Sequence, residues 1–382
     1  MLAKSENNRF YLQELDALRF FAFICVFFFH FMDYVPVDPK TQPILYTFCT
    51  IGAFGVPIFF LLSSFLIVEL LLRELNKTNS IDIKSFYTRR ILRIWPLYFI
   101  VFIGLIILGQ FMPKVATNDI WAWLAFTLFT GNWYIFHFGW IGGPIDPLWS
   151  IAVEEQFYLG IPFLTKMGGR KFLIAISLLL ILISYGWSIY YAKLEYNGES
   201  GQWLNSFFQF QFFAIGALLA LFLKGKIPSL SGVIRLGLFL VGVALWFFSV
   251  YNFDVKSYNG HPTVLGAILG WLMVLAGSVL FFISTLGIPD KYVPKLLVYL
   301  GRISFGLYMF HSLIFHLFFH GFRSYWEKPL IYLQINSITI SIIGTILVFT
   351  VTVILSGLSY RYFERPFLKL KEKFTVINSR PE

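Results

Sequence analysis

Apolar runs long enough to cross a membrane follow one another along almost the whole chain. About 20 apolar residues in a row are typical of a transmembrane helix. Stretches rich in polar residues, Gly and Pro separate the runs and are typical of loops. The pattern predicts ten spans, near residues 17–34, 51–72, 94–111, a run that begins at 148, 172–190, 206–223, 233–250, 263–285, 297–318 and 335–358. The predicted fold is therefore all-α, a polytopic integral membrane bundle of about ten transmembrane helices.

One further apolar region, residues 121–138, is interrupted by Thr, Gly, Asn and His. If it crossed fully, the short basic loop Lys166–Lys171 would fall on the same side as the acidic and neutral loops. Basic loops collect on the cytoplasmic side of a membrane. We therefore predict that 121–138 is re-entrant or interfacial and that both termini are cytoplasmic. On that assignment only six of the thirty Lys and Arg lie outside.

The organisation along the chain predicts one domain. We find no internal repeat and no low-complexity linker. The expected unit is a single transmembrane domain over residues 1–382, with a cytoplasmic N-terminal segment at 1–14 and a cytoplasmic tail at 359–382.

Composition supports a membrane protein and excludes other classes. The chain is 58% hydrophobic and 13% charged, whereas a soluble domain carries about 25% charged residues. The lipid bilayer is therefore its first partner. The net charge of +10 does not indicate nucleic acid, because the basic residues cluster in short loops. Cys25 and Cys49 have neither a disulfide framework nor metal-ligand spacing, so no metal is expected.

The first span, LDALRFFAFICVFFFH (15–30), carries Asp16, Arg19 and His30 in an apolar run. Arg19 and His30 are about three helical turns and roughly 16 Å apart, on nearly one face. Ionisable groups in a membrane helix are costly and face the protein interior or a wet cavity. We favour a functional pair over the alternative, a buried His–Arg pair that only packs helices. Glu69, near the inner end of the second span, is an expected partner of Arg19.

The direction of the spans places three titratable side chains at a similar outward depth: His30, Glu154 and His311. Titratable groups that converge from distant parts of a chain are a functional-site hypothesis. The alternatives stay open: Glu154 could cap a helix or pair with an arginine, and His311 could be an ordinary hydrogen-bonded histidine of the bundle. For the neighbouring Glu155, a structural role is favoured over a catalytic one.

At the inner ends of the spans, Arg90 and Arg93 lie one helical turn apart. Such a pair can bind phosphate groups through paired hydrogen bonds from each guanidinium. Alternatively, the two arginines can simply hold this end of the helix on the cytoplasmic side. The residues alone predict a basic inner site suited to a phosphorylated molecule and an outer or mid-membrane site with an imidazole and a carboxylate. Histidine as a general base, oriented by a carboxylate or an arginine, suits transfer of a group to a hydroxyl.

Six motifs in order resemble the acyltransferase 3 family of integral membrane O-acyltransferases. They are LDALRFFAFICVFFFH (15–30), GVPIFFLLSSFLI (55–67), FYTRRILRIWPLYF (86–99), LWSIAVEEQFYL (148–159), LGRISFGLYMFHSLI (300–314) and SYRYFERPF (359–367). The resemblance implies transfer of an acyl group, usually acetyl, from cytoplasmic acyl-CoA (acetyl-CoA) to a hydroxyl of an exported or cell-envelope carbohydrate or glycolipid. It also implies a multi-pass protein of a bacterial inner membrane.

The same resemblance implies roles for individual residues. His30 and Arg19 are the expected catalytic pair, Glu154 is the carboxylate of the Trp-Ser-x-x-x-Glu stretch, and Arg90 and Arg93 are expected to bind the donor. His30 acts as the base, while Glu154 and Arg19 orient groups or stabilise charge; direct transfer and an acyl-histidine relay both stay open. Expected supporting or substrate-binding residues within these motifs are Asp16, Trp149, Ser150, Tyr308 and His311.

Two features depart from the family pattern. The second-span motif usually reads Ser-Gly-Phe but here reads Ser63-Ser64-Phe65, which is expected to remove a close-approach glycine and narrow the cavity. Residues 207–223 lack the charged residues that often precede the matching span, so no site residue is expected there. Many relatives also carry a C-terminal hydrolase-like domain for the final transfer. Any such step is expected to take place in the membrane domain or in a periplasmic or extracellular transferase partner.

Two other classes of function compete with this interpretation. A transporter or exporter of a small anionic solute could use the inner arginines and an intramembrane His/Glu relay, with flux but no consumption of acyl-CoA. A scaffold subunit of an export complex would tolerate loss of His30 and Arg19. The motif match, and not composition, places the enzyme first.

Overall fold

The computed structural model describes residues 10–35, 37–112, 115–194, 200–256, 262–335 and 337–377. These residues form helices and their connections, with no β-strand among them. The prediction of an all-α fold is therefore confirmed. Residues 1–9 of the expected N-terminal segment and 378–382 of the expected tail lie outside the described residues.

The helices are numbered α1 to α16 in chain order. They are α1 Glu14–Phe31, α2 Pro43–Thr50, α3 Gly55–Thr78, α4 Ile83–Gly109, α5 Ile120–Thr127, α6 Gly131–Phe138, α7 Trp149–Lys193, α8 Ser200–Leu204, α9 Ser206–Leu223, α10 Gly232–Tyr251, α11 Val264–Thr285, α12 Lys295–Arg302, α13 Ser304–His316, α14 Arg323–Tyr332, α15 Ser337–Ser359 and α16 Arg365–Glu372. The pairs α10 and α11, α7 and α9, α3 and α9, and α13 and α15 pack most extensively.

The described residues contain seven helical stretches that are long and apolar enough to cross a membrane, and the pair α12 and α13, bent by 69°, makes eight. The chain is a multi-pass membrane protein. α1 is not among the eight because Glu14, Asp16 and Arg19 lie within its 18 residues. α7 counts once, but 45 residues give a length of about 68 Å, roughly twice the core of a bilayer. Since Gly169 interrupts α7 with a φ of 61°, the ten predicted spans correspond to the eight stretches, α1 and the second half of α7.

The ambiguous region at 121–138 consists of two short helices, α5 and α6, of 8 residues each. Each is about 12 Å long, which is too short to cross a hydrocarbon core of about 30 Å. Buried Asn132 fastens α6 to the bundle by donating to the carbonyl of Leu204 and the hydroxyl of Ser206. Gln156 of α7 donates to the Phe129 carbonyl between the two helices. The prediction of a non-spanning segment is confirmed.

α1 lies between other helices at close backbone contact on two sides. A Cβ at Gly52 or Gly55, just before and at the start of α3, would lie 2.2 Å from a carbonyl oxygen of α1. A Cβ at Gly301 of α12 would lie 1.8 Å from the Asp16 carbonyl oxygen. Only glycine permits backbones to approach this closely. The three glycines therefore place α1, and with it Asp16 and Arg19, against α3 and α12.

We expect Gly301→Ala to lower the stability of the protein. The added methyl group would overlap the Asp16 backbone, and overpacking of a tight contact typically costs about 1–3 kcal/mol. The matched control is Gly104→Ala in α4, where a Cβ would meet nothing within 4 Å. Thermal unfolding in detergent should show a lower melting temperature for the Gly301 variant than for the Gly104 variant. Equal melting temperatures would contradict the close contact between α1 and α12.

The Ser-Ser-Phe departure in the second-span motif has a different consequence from the one expected. Ser64 is fully buried and faces α9, where its hydroxyl donates to the Phe213 carbonyl at 2.6 Å. The close approach to α3 is made by Gly216 of α9, whose Cβ would lie 2.4 Å from the Leu61 carbonyl oxygen. The expectation that Ser64 narrows the cavity was wrong, because the glycine needed at this contact lies on the facing helix.

Candidate active site

A cavity of about 190 Å³ lies among α1, α3, α4, α7, α12, α13 and the segment after α16. One buried water needs about 10–15 Å³ measured in this way, so the cavity is far larger than a packing defect. Along α3 its lining extends from Val56 to Glu74, which is about 27 Å at 1.5 Å per residue and close to the thickness of a bilayer core. The cavity therefore connects two ends of the bundle. We call them the Arg90 end, after a residue of the lining, and the His30 end, after a residue that lies beyond it in that direction and is not itself among the lining residues.

α4 supplies the basic wall of the Arg90 end. Asp82 caps α4 and accepts hydrogen bonds from the Ser85 backbone and hydroxyl, and the Ser85 hydroxyl holds the pKa of Asp82 below its usual value. The helix then places Arg89, Arg90 and Arg93 on the cavity lining. Arg89 is neutralised by Glu74 at 3.1 Å. Arg90 packs its guanidinium against the Tyr158 ring at 5.7 Å, and its Nε is buried without a hydrogen-bond partner in the described residues.

A hydrogen-bonded network joins the start of α1 to α12. Buried Asp16 accepts from Arg19 and from the Tyr11 hydroxyl, both at 2.7 Å. Burial, and then the Asp16 carboxylate, raise the pKa of the Tyr11 hydroxyl, which therefore stays protonated as the donor. Arg302 in turn donates to the Tyr11 oxygen at 3.3 Å. The expected partner of Arg19 was wrong: Asp16 one turn away holds Arg19, whereas Glu69 pairs with Arg73 at 2.7 Å.

Glu154 lies in the cavity and not beside His30. It accepts a short hydrogen bond from the Tyr158 hydroxyl, which also shares a short bond with Ser63. Arg90 is close enough to Glu154 for an electrostatic interaction. Glu155, on the other side of α7, accepts from the Trp95 indole at 3.2 Å. Glu154 lines the cavity, whereas His30 and His311 are not among its lining residues; the expectation that the three share a depth stays a prediction.

Ser150 and Tyr308 line the cavity toward the His30 end. Their hydroxyls are 2.6 Å apart, and the Tyr308 hydroxyl also donates to the Pro147 carbonyl at 3.0 Å. Trp149 does not line the cavity in the described structure; it is buried and packs against Phe60 and Trp203. Trp149 is thus placed to support the wall, while Ser150 and Tyr308 present hydroxyls.

His311 and His30 continue from Tyr308 toward the end of α1. The His311 ring lies 5.5 Å from the Tyr308 ring and 5.2 Å from the His30 ring. His311 is fully buried, and its Nδ1 donates to the Tyr308 carbonyl at 2.6 Å. Its Nε2 is therefore the unprotonated nitrogen, and it has no partner among the described residues. His30 lies beyond the cavity lining and is 2.9 Å from Asp33 through Nδ1.

Sequence reasoning missed several residues of this site. Arg302 and Tyr158 both line the cavity. Arg302 belongs to the motif LGRISFGLYMFHSLI and Tyr158 to LWSIAVEEQFYL. The neighbouring sequence does not distinguish Arg302 from a membrane anchor or Tyr158 from a packing residue. Asp146 is half-buried, accepts three backbone N–H groups of the 141–143 turn, and lies within electrostatic range of His30. The Gly/Pro-rich stretch before α7 was the available signal for it.

Comparison with known proteins identifies relatives. A family described as an acyltransferase domain matches residues 12–357. Peptidoglycan O-acetyltransferase OatA of Listeria monocytogenes is 27% identical over 405 residues, which cover 97% of this chain and 58% of that protein. O-acetyltransferase OatA of Staphylococcus aureus is 26% identical over 384 residues, 94% of this chain and 57% of that protein. The chain thus spans somewhat more than half the length of these relatives. No solved structure matches it significantly.

Proposed function

This chain belongs to the acyltransferase domain family, and on that premise we propose that it is a membrane O-acetyltransferase. The proposed donor is cytoplasmic acetyl-CoA, and the proposed acceptor is a hydroxyl of an exported or cell-envelope carbohydrate. The relatives named O-acetyltransferase support the acetyl group and the oxygen acceptor. One of them is named for peptidoglycan, which makes a cell-wall glycan the first acceptor to test.

The observation that carries the proposal is the cavity, because it joins two kinds of chemistry. At one end Arg90 and Arg93 offer guanidinium groups with no ion pair among the described residues. At the other end Ser150 and Tyr308 lead through His311 to His30. A donor with phosphates and a long thin arm fits such a space with its phosphates at the arginines. Its acyl group would then lie near Tyr308.

In the proposed reaction the acceptor hydroxyl oxygen bonds to the carbonyl carbon of the acetyl thioester. The hydroxyl proton passes to His30 Nε2, and Asp33 holds the Nδ1 proton so that Nε2 is free to accept. The carbon–sulfur bond then breaks, the imidazolium returns the proton to the leaving thiolate, and CoA leaves as the thiol. The hydroxyls of Ser150 and Tyr308 donate to the Pro147 carbonyl or to each other in this structure. Rotated away from these acceptors when substrate binds, they would donate to the carbonyl oxygen as it becomes negative.

The proposed orientation in the membrane follows from donor binding at the Arg90 end and acyl transfer at the His30 end. The Arg90 end faces the cytoplasm, where acetyl-CoA is made available, and both termini lie on that side of the bacterial inner membrane. The His30 end faces outward to the glycan. A separate transferase could carry the acetyl group further in the intact system. Asp16 and its network with Arg19 position α1 between the two ends.

The proposal is tested with purified protein in liposomes that receive acetyl-CoA labelled in the acetyl group and a soluble cell-wall glycan. We expect label in the glycan as an alkali-labile ester, in proportion to the free CoA that is released. If CoA is not released and the glycan stays unlabelled, the enzyme is not an acetyl-CoA-dependent O-acetyltransferase. Flux of a small anion without CoA release would instead support a transporter.

A further inference from the structure

The cavity carries more positive than negative side chains. Its cationic lining residues are Arg19, Arg89, Arg90, Arg93, Arg302 and Lys371. Its acidic lining residues are Asp16, Glu74 and Glu154. A surplus of positive charge in a partly buried space is unfavourable unless anions compensate it. The question is which of the cations are left without a carboxylate.

Among these cations, Arg19 and Arg89 are neutralised by direct ion pairs. Arg19 pairs with Asp16 at 2.7 Å and Arg89 with Glu74 at 3.1 Å. In the part of the chain that the structure describes, Arg90, Arg93 and Arg302 form no ion pair. Arg90 and Arg93 come from one helix, α4, but Arg302 ends α12, so the surplus charge is presented by two different walls of the cavity.

Two of these guanidinium groups have hydrogen-bonding capacity that the described protein does not use. The Nε atoms of Arg90 and Arg302 are both buried and have no hydrogen-bond partner within the described ranges of the chain. A buried donor that lacks an acceptor costs free energy, and for a charged group the cost is larger. Both arginines line the cavity. A hydrogen-bond acceptor for their Nε–H groups would therefore belong to a molecule bound in the cavity.

Arg302 is held in place by its surroundings. Its guanidinium stacks over the Tyr11 ring at 5.7 Å and donates to the Tyr11 oxygen at 3.3 Å. A Cβ on the preceding residue, Gly301, would lie 1.8 Å from the Asp16 carbonyl oxygen, so the end of α12 packs closely against the start of α1. Tyr11 is itself bound to Asp16. Arg302 is therefore pre-organised, although none of its contacts neutralises its charge.

We propose that Arg302 is a phosphate-binding residue for the nucleotide-bearing donor, acting from the α12 wall while Arg90 and Arg93 act from the α4 wall. This inference rests on the proposed function, since it concerns the same donor. Three guanidinium groups that form no direct ion pair among the described residues, one of which (Arg90) also lies within electrostatic range of Glu154, line two walls and match a ligand with several phosphate charges better than one with a single charge. The two-walled arrangement also distinguishes a nucleotide donor from a small thioester without phosphates.

The first test is kinetic and compares donors. Arg302→Ala should raise the KM for acetyl-CoA by about tenfold, the scale of one lost charge-assisted hydrogen bond, with kcat nearly unchanged. The KM for acetyl-pantetheine, which lacks the nucleotide phosphates, should not change. Arg302→Lys should fall between wild type and alanine, because lysine keeps the charge but not the fork. A rise in KM that is confined to acetyl-CoA cannot come from misfolding, because misfolding would affect the kinetics with both donors.

The matched control is Arg361→Ala. Arg361 also stacks over a tyrosine, 5.3 Å from the Tyr362 ring, but it is exposed and is not among the residues that line the cavity. Its replacement should leave the KM for acetyl-CoA unchanged. An equal rise in the two variants would overturn the proposal, because it would reflect loss of any basic residue near the end of the bundle.

The second test measures binding without turnover, which separates this inference from the proposed function. Isothermal titration of the detergent-purified protein with adenosine 3′,5′-diphosphate should show about tenfold weaker binding to Arg302→Ala than to wild type. Equal binding by the two proteins, or no binding by wild type, would overturn the role of Arg302. If wild type binds through Arg302 but no acetyl transfer occurs, the anion site stands and only the proposed reaction fails.

Discussion

Replacement of His30 by alanine is expected to abolish acetyl transfer while the protein remains folded and abundant. His30 is the proposed general base, and removal of such a group typically costs about 10²–10⁴-fold in rate. His311 is not expected to take over, because its ring is fully buried and does not line the cavity. The measurement is transfer of labelled acetyl from acetyl-CoA to glycan by equal amounts of the two proteins in liposomes.

The control for this variant is His137→Ala. His137 lies near the end of the short helix α6, is exposed, and has no place in the proposed reaction. It should keep wild-type turnover, and both variants should elute as wild type does on size-exclusion chromatography. Normal turnover by a well-folded His30→Ala protein would remove His30 from the mechanism. A scaffold or another base, such as His311, would then have to be considered.

The double replacement Arg90→Ala with Arg93→Ala is expected to raise the KM for acetyl-CoA by about 10²–10⁴-fold. Each guanidinium is proposed to contribute a charge-assisted hydrogen bond to the donor phosphates, and each such bond is typically worth about 1.5–3 kcal/mol. The effect should lie mainly in KM, since the arginines are at the far end of the cavity from Tyr308 and His30. Initial rates over a range of acetyl-CoA concentrations measure it.

The lysine double variant separates donor binding from membrane anchoring. Arg90→Lys with Arg93→Lys keeps the positive charge that sets topology but loses the planar fork that matches phosphate. If the arginines bind the donor, the KM should stay raised in the lysine variant. Full recovery to the wild-type KM, together with an unchanged membrane orientation of α4, would identify both residues as anchors alone.

Much of the fold could be predicted from local sequence features. The spans were placed by apolar length, and α5 and α6 were recognised as non-spanning from their polar interruptions and from loop charge. These signals work because the bilayer imposes the same length on each helix that crosses it and sorts basic loops to one side. The break in α7 at Gly169 likewise lies in the basic loop Lys166–Lys171 that separated two predicted spans.

The candidate site was predicted only in part. His30 and His311 were expected to converge, and the structure places their rings 5.2 Å apart. Arg90 and Arg93 were expected to form a basic site, and both line the cavity. The depth expected for Glu154 stays a prediction, since a span pattern resolves depth only to a few residues. Glu154 lies one helical turn along α7 from Ser150, beside Tyr158.

What the sequence by itself determined is the membrane class, the helical elements and the family, because apolar length, loop charge and ordered motifs are properties of short segments. Only the tertiary structure decided which side chains meet. Arg19 pairs with Asp16 and not with Glu69. The glycine that permits close approach is Gly216 of α9, facing Ser64 of α3. Arg302 lines the same cavity as Arg90. The physical reason is that contacts between helices depend on rotation about each helix axis and on backbone separation. Both are set by glycines and packing partners hundreds of residues apart in the chain.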